Sequence, residues 1–171
     1  MTRITGFAPL VGQNSRVLIL GSMPSVASLE KHQYYGKPQN AFWKIMGELI
    51  AAGPELDYEI RAEKLIGQNI AVWDVLASCV RPGSLDSAIE ISTAEVNDFR
   101  SFFDCHPGIH SVFFNGRKAE EVFNKKVLKK SAAPDHLIYE CLPSTSPAMA
   151  TLSFAEKLKH WRAVSKALDN K

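Results

Sequence analysis

Four short apolar runs constrain the fold of this 171-residue chain more than any other feature of its sequence. Each run is rich in branched or aromatic residues and too short for a core helix, so each predicts a buried strand. The four runs lie at 16–20, 69–75, 111–115 and 136–141. Helical segments separate them, which implies right-handed crossovers between parallel strands. We therefore expect a three-layer α/β/α fold with a central, mostly parallel four-stranded sheet.

Five segments with apolar residues at helical spacing predict the helices that cover this sheet. The second is expected to start at Asp57 and the third at Thr93, because both residue types cap helices. By contrast, residues 76–92 hold turn residues and little periodicity, which predicts irregular chain. The expected helices span 41–52, the segment that follows Asp57, 93–105, 116–130 and 153–168. A chain of this length can bury close to ~70% of its unfolded surface, so residues 1–171 are expected to form a single domain.

Composition and charge limit which binding partners and which cellular compartment are expected for this chain. The net charge is +2, which neither demands nor excludes a nucleic-acid partner. No apolar run approaches the ~20 residues of a membrane span and the polar start lacks a signal-peptide core, so we expect a cytoplasmic monomer with no membrane partner. The three cysteines lack C-x-x-C spacing, and a helix-breaking Pro-Gly pair separates His106 from His110. No metal or cofactor is therefore expected.

The stretch 21–40 is the expected centre of the functional site. It follows the first predicted strand and is denser in Tyr, Asn, Gln and Pro than a plain connector needs. Ligands of open parallel sheets bind beyond the carboxyl ends of the strands, where three further polar segments are expected. Those segments begin at Asp74, Asn115 and Leu142. Four strand-end loops are therefore expected to converge on one cleft.

Several familiar chemistries lack their motifs in this chain. Neither G-x-G-x-x-G nor a phosphate-loop G-K-[ST] follows the first strand, and no G-x-S-x-G elbow occurs. The expected cleft instead offers Tyr34 and Tyr35 for stacking and Asn40 for hydrogen bonding. Opposite them lie loops of small residues whose backbone can approach a phosphate. This combination suits a nucleobase with its sugar-phosphate attached.

Three segments, in this order along the chain, carry a resemblance to a known family. They are Gly21-Ser22-Met23-Pro24-Ser25, Tyr35-Gly36-Lys37-Pro38-Gln39-Asn40-Ala41-Phe42-Trp43-Lys44 and Leu142-Pro143-Ser144-Thr145-Ser146-Pro147. Together they resemble the motifs of the uracil-DNA glycosylase superfamily and are most similar to its hypoxanthine-DNA (DNA-deoxyinosine) glycosylase branch. The mismatch-specific uracil-DNA glycosylases are similar at the second segment.

The resemblance implies base excision repair of DNA that contains a deaminated base. The enzyme would hydrolyse the N-glycosidic bond of a flipped deoxyinosine without cleaving the strand. Related uracil enzymes carry Asp or Asn where this chain has Met23, so the resemblance implies that Asn40 supplies the catalytic polar group. Ser146 stands where related enzymes carry an intercalating Leu, so no residue is assigned to fill the gap that the flipped base leaves.

The candidate site residues fall into three groups. Asn40 is the expected catalytic residue. Base contacts are expected from Tyr35, Gly21, Ser22, Met23 and Asn115. Contacts to the DNA backbone are expected from Pro24, Ser25, Arg117, Pro143, Ser144, Thr145 and Ser146.

Two other functions fit the same sequence. The scaffold could excise uracil from mismatches, or the chain could bind nucleotides or single-stranded DNA without catalysis. In the second case Asn40 would only cap the helix that follows it, a position that Asn favours. Assays of base release from inosine-containing and uracil-containing duplexes separate the three functions.

Overall fold

Seven strands form two sheets in the computed structural model, which describes residues 2–170. In chain order they are β1 (Arg3–Thr5), β2 (Val17–Gly21), β3 (Ile70–Asp74), β4 (Leu76–Val80), β5 (Glu90–Val96), β6 (Ser111–Asn115) and β7 (Ile138–Leu142). The larger sheet is parallel, in the order β3-β2-β6-β7. It contains all four predicted strands and confirms the predicted fold class.

Helices cover this parallel sheet. They are α1 (Val26–Lys31), α2 (Phe42–Ile50), α3 (Tyr58–Gly67), α4 (Phe99–Cys105), α5 (Arg117–Lys126) and α6 (Phe154–Asp169). Trp161 of α6 packs edge-on against Phe42 of α2, and Phe99 of α4 packs edge-on against Phe123 of α5. The chain reaches β3 on one side of β2 and β6 on the other, so right-handed crossovers place these two helix pairs on opposite faces. The carboxyl ends of β2 and β6 therefore flank a crevice where the strand order reverses.

The core lies along the middle of the parallel sheet. Every residue of β2, β3 and β6 is buried, which explains why their sequences are continuous apolar runs without alternation. The outer edge of β3 is protected because Leu10 and Val72 exchange backbone hydrogen bonds. Trp161 is fully buried in the stripe that predicted the last helix. Ser153 and Glu156 close a capping box at the start of that helix.

The smaller sheet was not predicted, and it replaces part of a predicted helix. It is antiparallel, in the order β1-β4-β5. The predicted helix 93–105 was wrong over its first half, since β5 occupies residues 90–96 and α4 begins at Phe99. Thr93 does not cap a helix: its hydroxyl accepts from Val80 N in the sheet, at 2.9 Å. Asp98 is the actual cap, accepting from Ser101 N at 3.1 Å.

Two further boundaries differ from the prediction. The stretch 21–40 is not wholly irregular, because α1 lies within it and Ser25 caps that helix. The helix predicted for 116–130 ends as an α-helix at Lys126 and continues only as a 3-10 turn over Leu128–Lys130.

The two sheets join through a single residue. Val75 alone separates the end of β3 from the start of β4. Its N–H donates to Gly21 O at 2.8 Å, and Leu76 N–H donates to Ser22 O at 3.1 Å. Asn97 ties down the same joint, because its Nδ2 donates to Asp74 O at 2.8 Å. The joint is therefore bonded both to the first motif and to the chain that follows β5.

Candidate active site

A cleft of about 430 Å³ opens at the carboxyl ends of β2, β3 and β6. This volume lies within the usual range for small-ligand sites. The predicted convergence of four strand-end loops is what the structure shows, and residues 84–87 add a fifth lining segment. All predicted site residues except Arg117 and Pro143 line the cleft. Arg117 is exposed at the start of α5, and the Pro143 carbonyl accepts a hydrogen bond from Trp161 Nε1 at 2.9 Å.

Asn40 precedes Ala41, the N-cap residue of α2; its side chain bonds to the start of that helix and it lines the cleft. Its Oδ1 accepts a hydrogen bond from Phe42 N at 2.9 Å, which satisfies a free N–H at the start of α2. The next residue, Ala41, donates its N–H to Thr145 O at 3.0 Å and so brings Asn40 beside the third motif. The cap occupies one lone pair of the carboxamide oxygen. The second lone pair and the Nδ2 donors make no hydrogen bond to residues 2–170 and are open to the cleft.

Tyr35 and Tyr34 both line the cleft, but Tyr34 is also part of the buried core. The ring of Tyr35 stacks on Phe42 with centroids 4.0 Å apart, so one of its faces is already covered. Its hydroxyl is buried without a hydrogen-bond partner among the described residues. Burial, followed by the nearby Asp74 carboxyl, raises the pKa of Tyr35, although the neighbouring Asn115 side chain opposes the shift, so the phenol stays protonated and can donate. Tyr34 is 3% exposed, and its hydroxyl donates to Ala8 O at 2.9 Å.

Asp74 places a carboxyl group on the floor of the cleft. It ends β3, is 4% exposed, and its Oδ2 has no hydrogen-bond partner among the described residues. Burial and the neighbouring Asp86 raise the pKa of Asp74 to about 7, although Arg81 opposes the shift. Near neutral pH this group therefore exists both as an acceptor-only carboxylate and as an acid that can donate.

Glycine at position 21 allows this floor to form. A Cβ at that position would lie 2.6 Å from Asp74 Oδ1 and 3.0 Å from the Tyr35 hydroxyl. Any side chain there would displace both groups. Gly21 therefore lets its backbone lie directly against the Asp74 carboxyl and the Tyr35 hydroxyl.

Buried polar contacts fix the first motif against residues 81–88. Arg81 is 5% exposed, and its guanidinium donates to Pro24 O at 2.6 Å and to Gly83 O at 2.8 Å. The Ser22 hydroxyl donates to Asp86 Oδ1 at 2.5 Å. Planar guanidinium groups suit this bridging because their donors are held in a rigid fork. The motif is thus rigid before any ligand binds.

Asn115 and Thr145 hold the third motif in place. Asn115 Nδ2 donates to Thr145 Oγ1 at 3.0 Å, and Thr145 N donates back to Asn115 Oδ1 at 2.9 Å. Both residues are buried. Gly116 then turns the chain with φ +97°, and a Cβ there would lie 3.1 Å from the Ser144 Cβ. Asn115 and Thr145 therefore position the loop, while Ser144 and Ser146 are the more accessible of its hydroxyls.

Among the residues that line or support the cleft but were not predicted as site residues, four are charged: Asp74, Lys37, Arg81 and Asp86. Asp74 carried a signal, since it is a single acid that closes an otherwise apolar strand. Lys37 is exposed and lines the cleft from within the recognised second motif. Nothing in the sequence marked Arg81 and Asp86 as site residues, because they lie in a segment that was predicted to be irregular. Their contacts depend on the smaller sheet that brings residues 81–88 against the first motif.

Within residues 2–170, no group of three or more His, Cys, Asp or Glu side chains is arranged to hold a metal ion. Across the same residues, no helix is both long enough and apolar enough to cross a membrane.

Comparison with known proteins identifies the family. The model of the uracil DNA glycosylase superfamily matches residues 8–168, nearly the whole chain. The chain belongs to the uracil-DNA glycosylase superfamily. Membership places it among the DNA glycosylases, which act on DNA by releasing a base from its sugar.

Two relatives and one solved structure of this superfamily are similar to the chain. Hypoxanthine DNA glycosylases of Methanosarcina barkeri and Methanosarcina acetivorans are 39% and 40% identical to it over 117 residues. Each alignment covers 68% of this chain and 73% of the relative. The solution NMR structure of a candidate uracil DNA glycosylase from Methanosarcina acetivorans superposes with a TM-score of 0.80 at 34% identity. That superposition covers 99% of this chain and all of the other.

Proposed function

We propose that this protein is a monofunctional DNA glycosylase that excises hypoxanthine from deoxyinosine in DNA. The proposal rests on one observation. Two buried polar groups without hydrogen-bond partners lie on the cleft floor, and Asn40 lines the same cleft. Buried polar atoms are normally hydrogen-bonded, so a floor with the free Asp74 Oδ2 and Tyr35 hydroxyl fits a polar ligand. The relatives named as hypoxanthine DNA glycosylases support the choice of base.

The floor suits the edge that deamination creates on a base. Deamination replaces an amino group by a carbonyl and turns the adjacent ring nitrogen into an N–H donor. The Asp74 carboxyl can accept from that N–H, and the protonated Tyr35 hydroxyl can donate to the carbonyl. Adenine presents an acceptor where hypoxanthine presents N–H, so an ionised Asp74 would repel it. Selectivity for deaminated bases follows from this complementarity.

Asn40 would assist the reaction as a weak polar group. Water attacks C1′, the C1′–N9 bond breaks, and its electron pair leaves with the base while the sugar carries positive charge. The free lone pair of Asn40 Oδ1 can orient the attacking water, which then loses its proton to solvent. Such orientation suffices because the developing C1′ cation is a strong electrophile. The Tyr35 hydroxyl can stabilise the charge on the departing base by donating to its carbonyl, and Asp74 can do so in its protonated form.

Strand cleavage is not expected. Lyase activity requires an amine that forms a Schiff base with C1′. Lys37 is the only lysine among the described residues that line the cleft, and it is exposed. Borohydride should therefore trap no covalent complex with inosine-containing DNA. A trapped complex that disappears in Lys37→Ala would show a bifunctional enzyme instead.

The direct test is base release from defined duplexes. The protein is incubated with duplexes that contain deoxyinosine, deoxyuridine or no damage, and abasic sites are then cleaved with alkali. We expect alkali-dependent cleavage at inosine. Cleavage only at uracil would favour the mismatch-specific alternative, and binding without cleavage of either substrate would favour a non-catalytic domain.

Asn40 can be separated from its capping role by substitution. Ser caps helices about as well as Asn but lacks the carboxamide. If Asn40 positions the attacking water, Asn40→Ser should lose about 10²–10³ in single-turnover rate while keeping the melting temperature of the wild type. Gln39→Ala, at the exposed neighbouring amide, is the matched control and should excise normally. If the Asn40→Ser variant keeps its activity, Asn40 has only a structural role at the start of the helix.

A further inference from the structure

Leu85 lies at the rim of the cleft and exposes a large apolar side chain there. It lines the cleft and is 57% exposed, more than any other large apolar side chain near the site. It belongs to the segment between β4 and β5, which none of the three recognised motifs includes. Single exposed apolar residues are common on protein surfaces and need no explanation by themselves. What distinguishes Leu85 is how its neighbours are held.

Both chain neighbours of Leu85 are bonded to the first motif or to Val26, the residue that follows it. Ser84 Oγ accepts a hydrogen bond from Val26 N at 3.0 Å on one side. On the other side, Asp86 accepts from the Ser22 hydroxyl. Arg81, itself buried, bridges the start of the segment to Pro24 O. The backbone at Leu85 is thus fixed at the cleft mouth while its side chain is left in solvent.

A rigid apolar side chain beside a base-sized cleft has a specific use on DNA. A base can enter the cleft only by leaving the stack, and this opens a gap between its former neighbours. Proteins that unstack DNA commonly fill such gaps with an apolar side chain. A side chain that fills the gap, here called the wedge, must be exposed in the free protein. Its backbone must also be held in place, because a mobile segment would move away from the stacked bases. Leu85 meets both conditions.

We infer that Leu85 is the wedge that enters the stack when the deaminated nucleotide moves into the cleft. The inference rests on the proposed base excision. Leu85 acts before the chemistry by holding the extruded state open, so it is a positioning residue. Met149, half-buried on the opposite loop, and the exposed Pro147 on the same loop are other apolar side chains at the cleft that could enter DNA.

The test compares duplex DNA with single-stranded DNA. Leu85→Ala should lower single-turnover excision of hypoxanthine from a duplex by about tenfold to a hundredfold, because the gap is no longer filled. Excision from the same strand without its complement should change by less than about threefold, because no stacked pair has to open. Leu85→Met keeps a large apolar side chain and should restore the duplex rate. A 2-aminopurine beside the inosine should brighten on binding wild type and brighten less with Leu85→Ala.

Controls separate this inference from the function on which it rests. Ile138→Ala removes an apolar side chain that is 68% exposed at the amino end of β7, at the opposite edge of the sheet, and should excise normally. If the wild type releases no base, the proposed function fails. If the wild type does release the base, two results would show that Leu85 is not the wedge. One is an equal loss of excision rate by Leu85→Ala on single strands and duplexes. The other is a duplex-specific loss that only Met149→Ala shows.

Discussion

Replacing Asp74 by Asn should stabilise the protein at alkaline pH, although it alters a residue on the cleft floor. The carboxyl is 4% exposed with one oxygen unpaired, so its charged form is poorly solvated in the folded state. Asn has nearly the same shape and carries no charge. We therefore expect the difference in stability between the variant and the wild type to report the ionisation of this single side chain.

The magnitude follows from the shift in pKa. Burial raises the pKa of Asp74 from its usual 3.8 to about 7, and at about 1.4 kcal/mol for each unit this amounts to about 4 kcal/mol. Between these two values the folded protein holds the proton and the unfolded chain does not. The free energy of unfolding of the wild type therefore falls as pH rises from about 4 to about 7, and the loss is complete above that range.

Urea denaturation at several pH values measures this effect. Near pH 4 the two side chains are both largely neutral, so wild type and Asp74→Asn should have nearly equal stability. The difference should widen up to about pH 7 and then stay constant, with the variant more stable by up to about 4 kcal/mol. A difference that does not change with pH, or a variant that is less stable throughout, would refute the assignment of a buried, neutralised carboxyl to this position.

Two further predictions concern the third motif and the DNA backbone. Gly116→Ala should destabilise the protein by about 1–3 kcal/mol and reduce excision, because φ is +97° and the new Cβ would press on Ser144. Gly67→Ala in α3, where no atom lies within 4 Å of the new Cβ, is the control in thermal melts and should not destabilise the protein. Arg117→Ala should weaken duplex binding and reduce the dependence of log K on log salt by about 1, because Arg117 lies at the cleft end of α5. The Lys129→Ala/Lys130→Ala double variant, changed at the far end, should leave both binding and its salt dependence unaltered. The opposite pattern in a salt titration would move the DNA to the other edge of the sheet.

The parallel sheet could be predicted because its strands are buried on both faces. Such strands are continuous apolar runs, and their order and helical connections leave few possible topologies. The smaller sheet could not be predicted in the same way. Only one residue of strand β5 is buried, the strand mixes Glu90 and Glu95 with β-branched residues, and Thr93 resembles a helix cap in sequence. Only pairing with β4 decides between a strand and a helix there.

The cleft was predicted better than the details of its contacts. Motif positions and strand ends brought Asn40, Tyr35 and the small-residue loops together, as the structure shows. Sequence could not show that Asn115 and Thr145 satisfy each other, or that Asp74 remains unpaired. Whether a buried polar atom has a partner depends on distances of a few tenths of an ångström between separate elements. Residue types and spacing do not contain that information.

The single-residue joint between β3 and β4 leaves no slack between the two sheets. An insertion at Val75 would shift Asp74 out of the cleft or break the bonds to Gly21 and Ser22, so length changes in homologous chains are expected in the loops and not here. The joint also couples the smaller sheet to the parallel sheet in unfolding. In native-state hydrogen exchange, the amides of Val75 and Leu76 should open together with the centre of β2, making the antiparallel sheet part of the same cooperative unit as the active site.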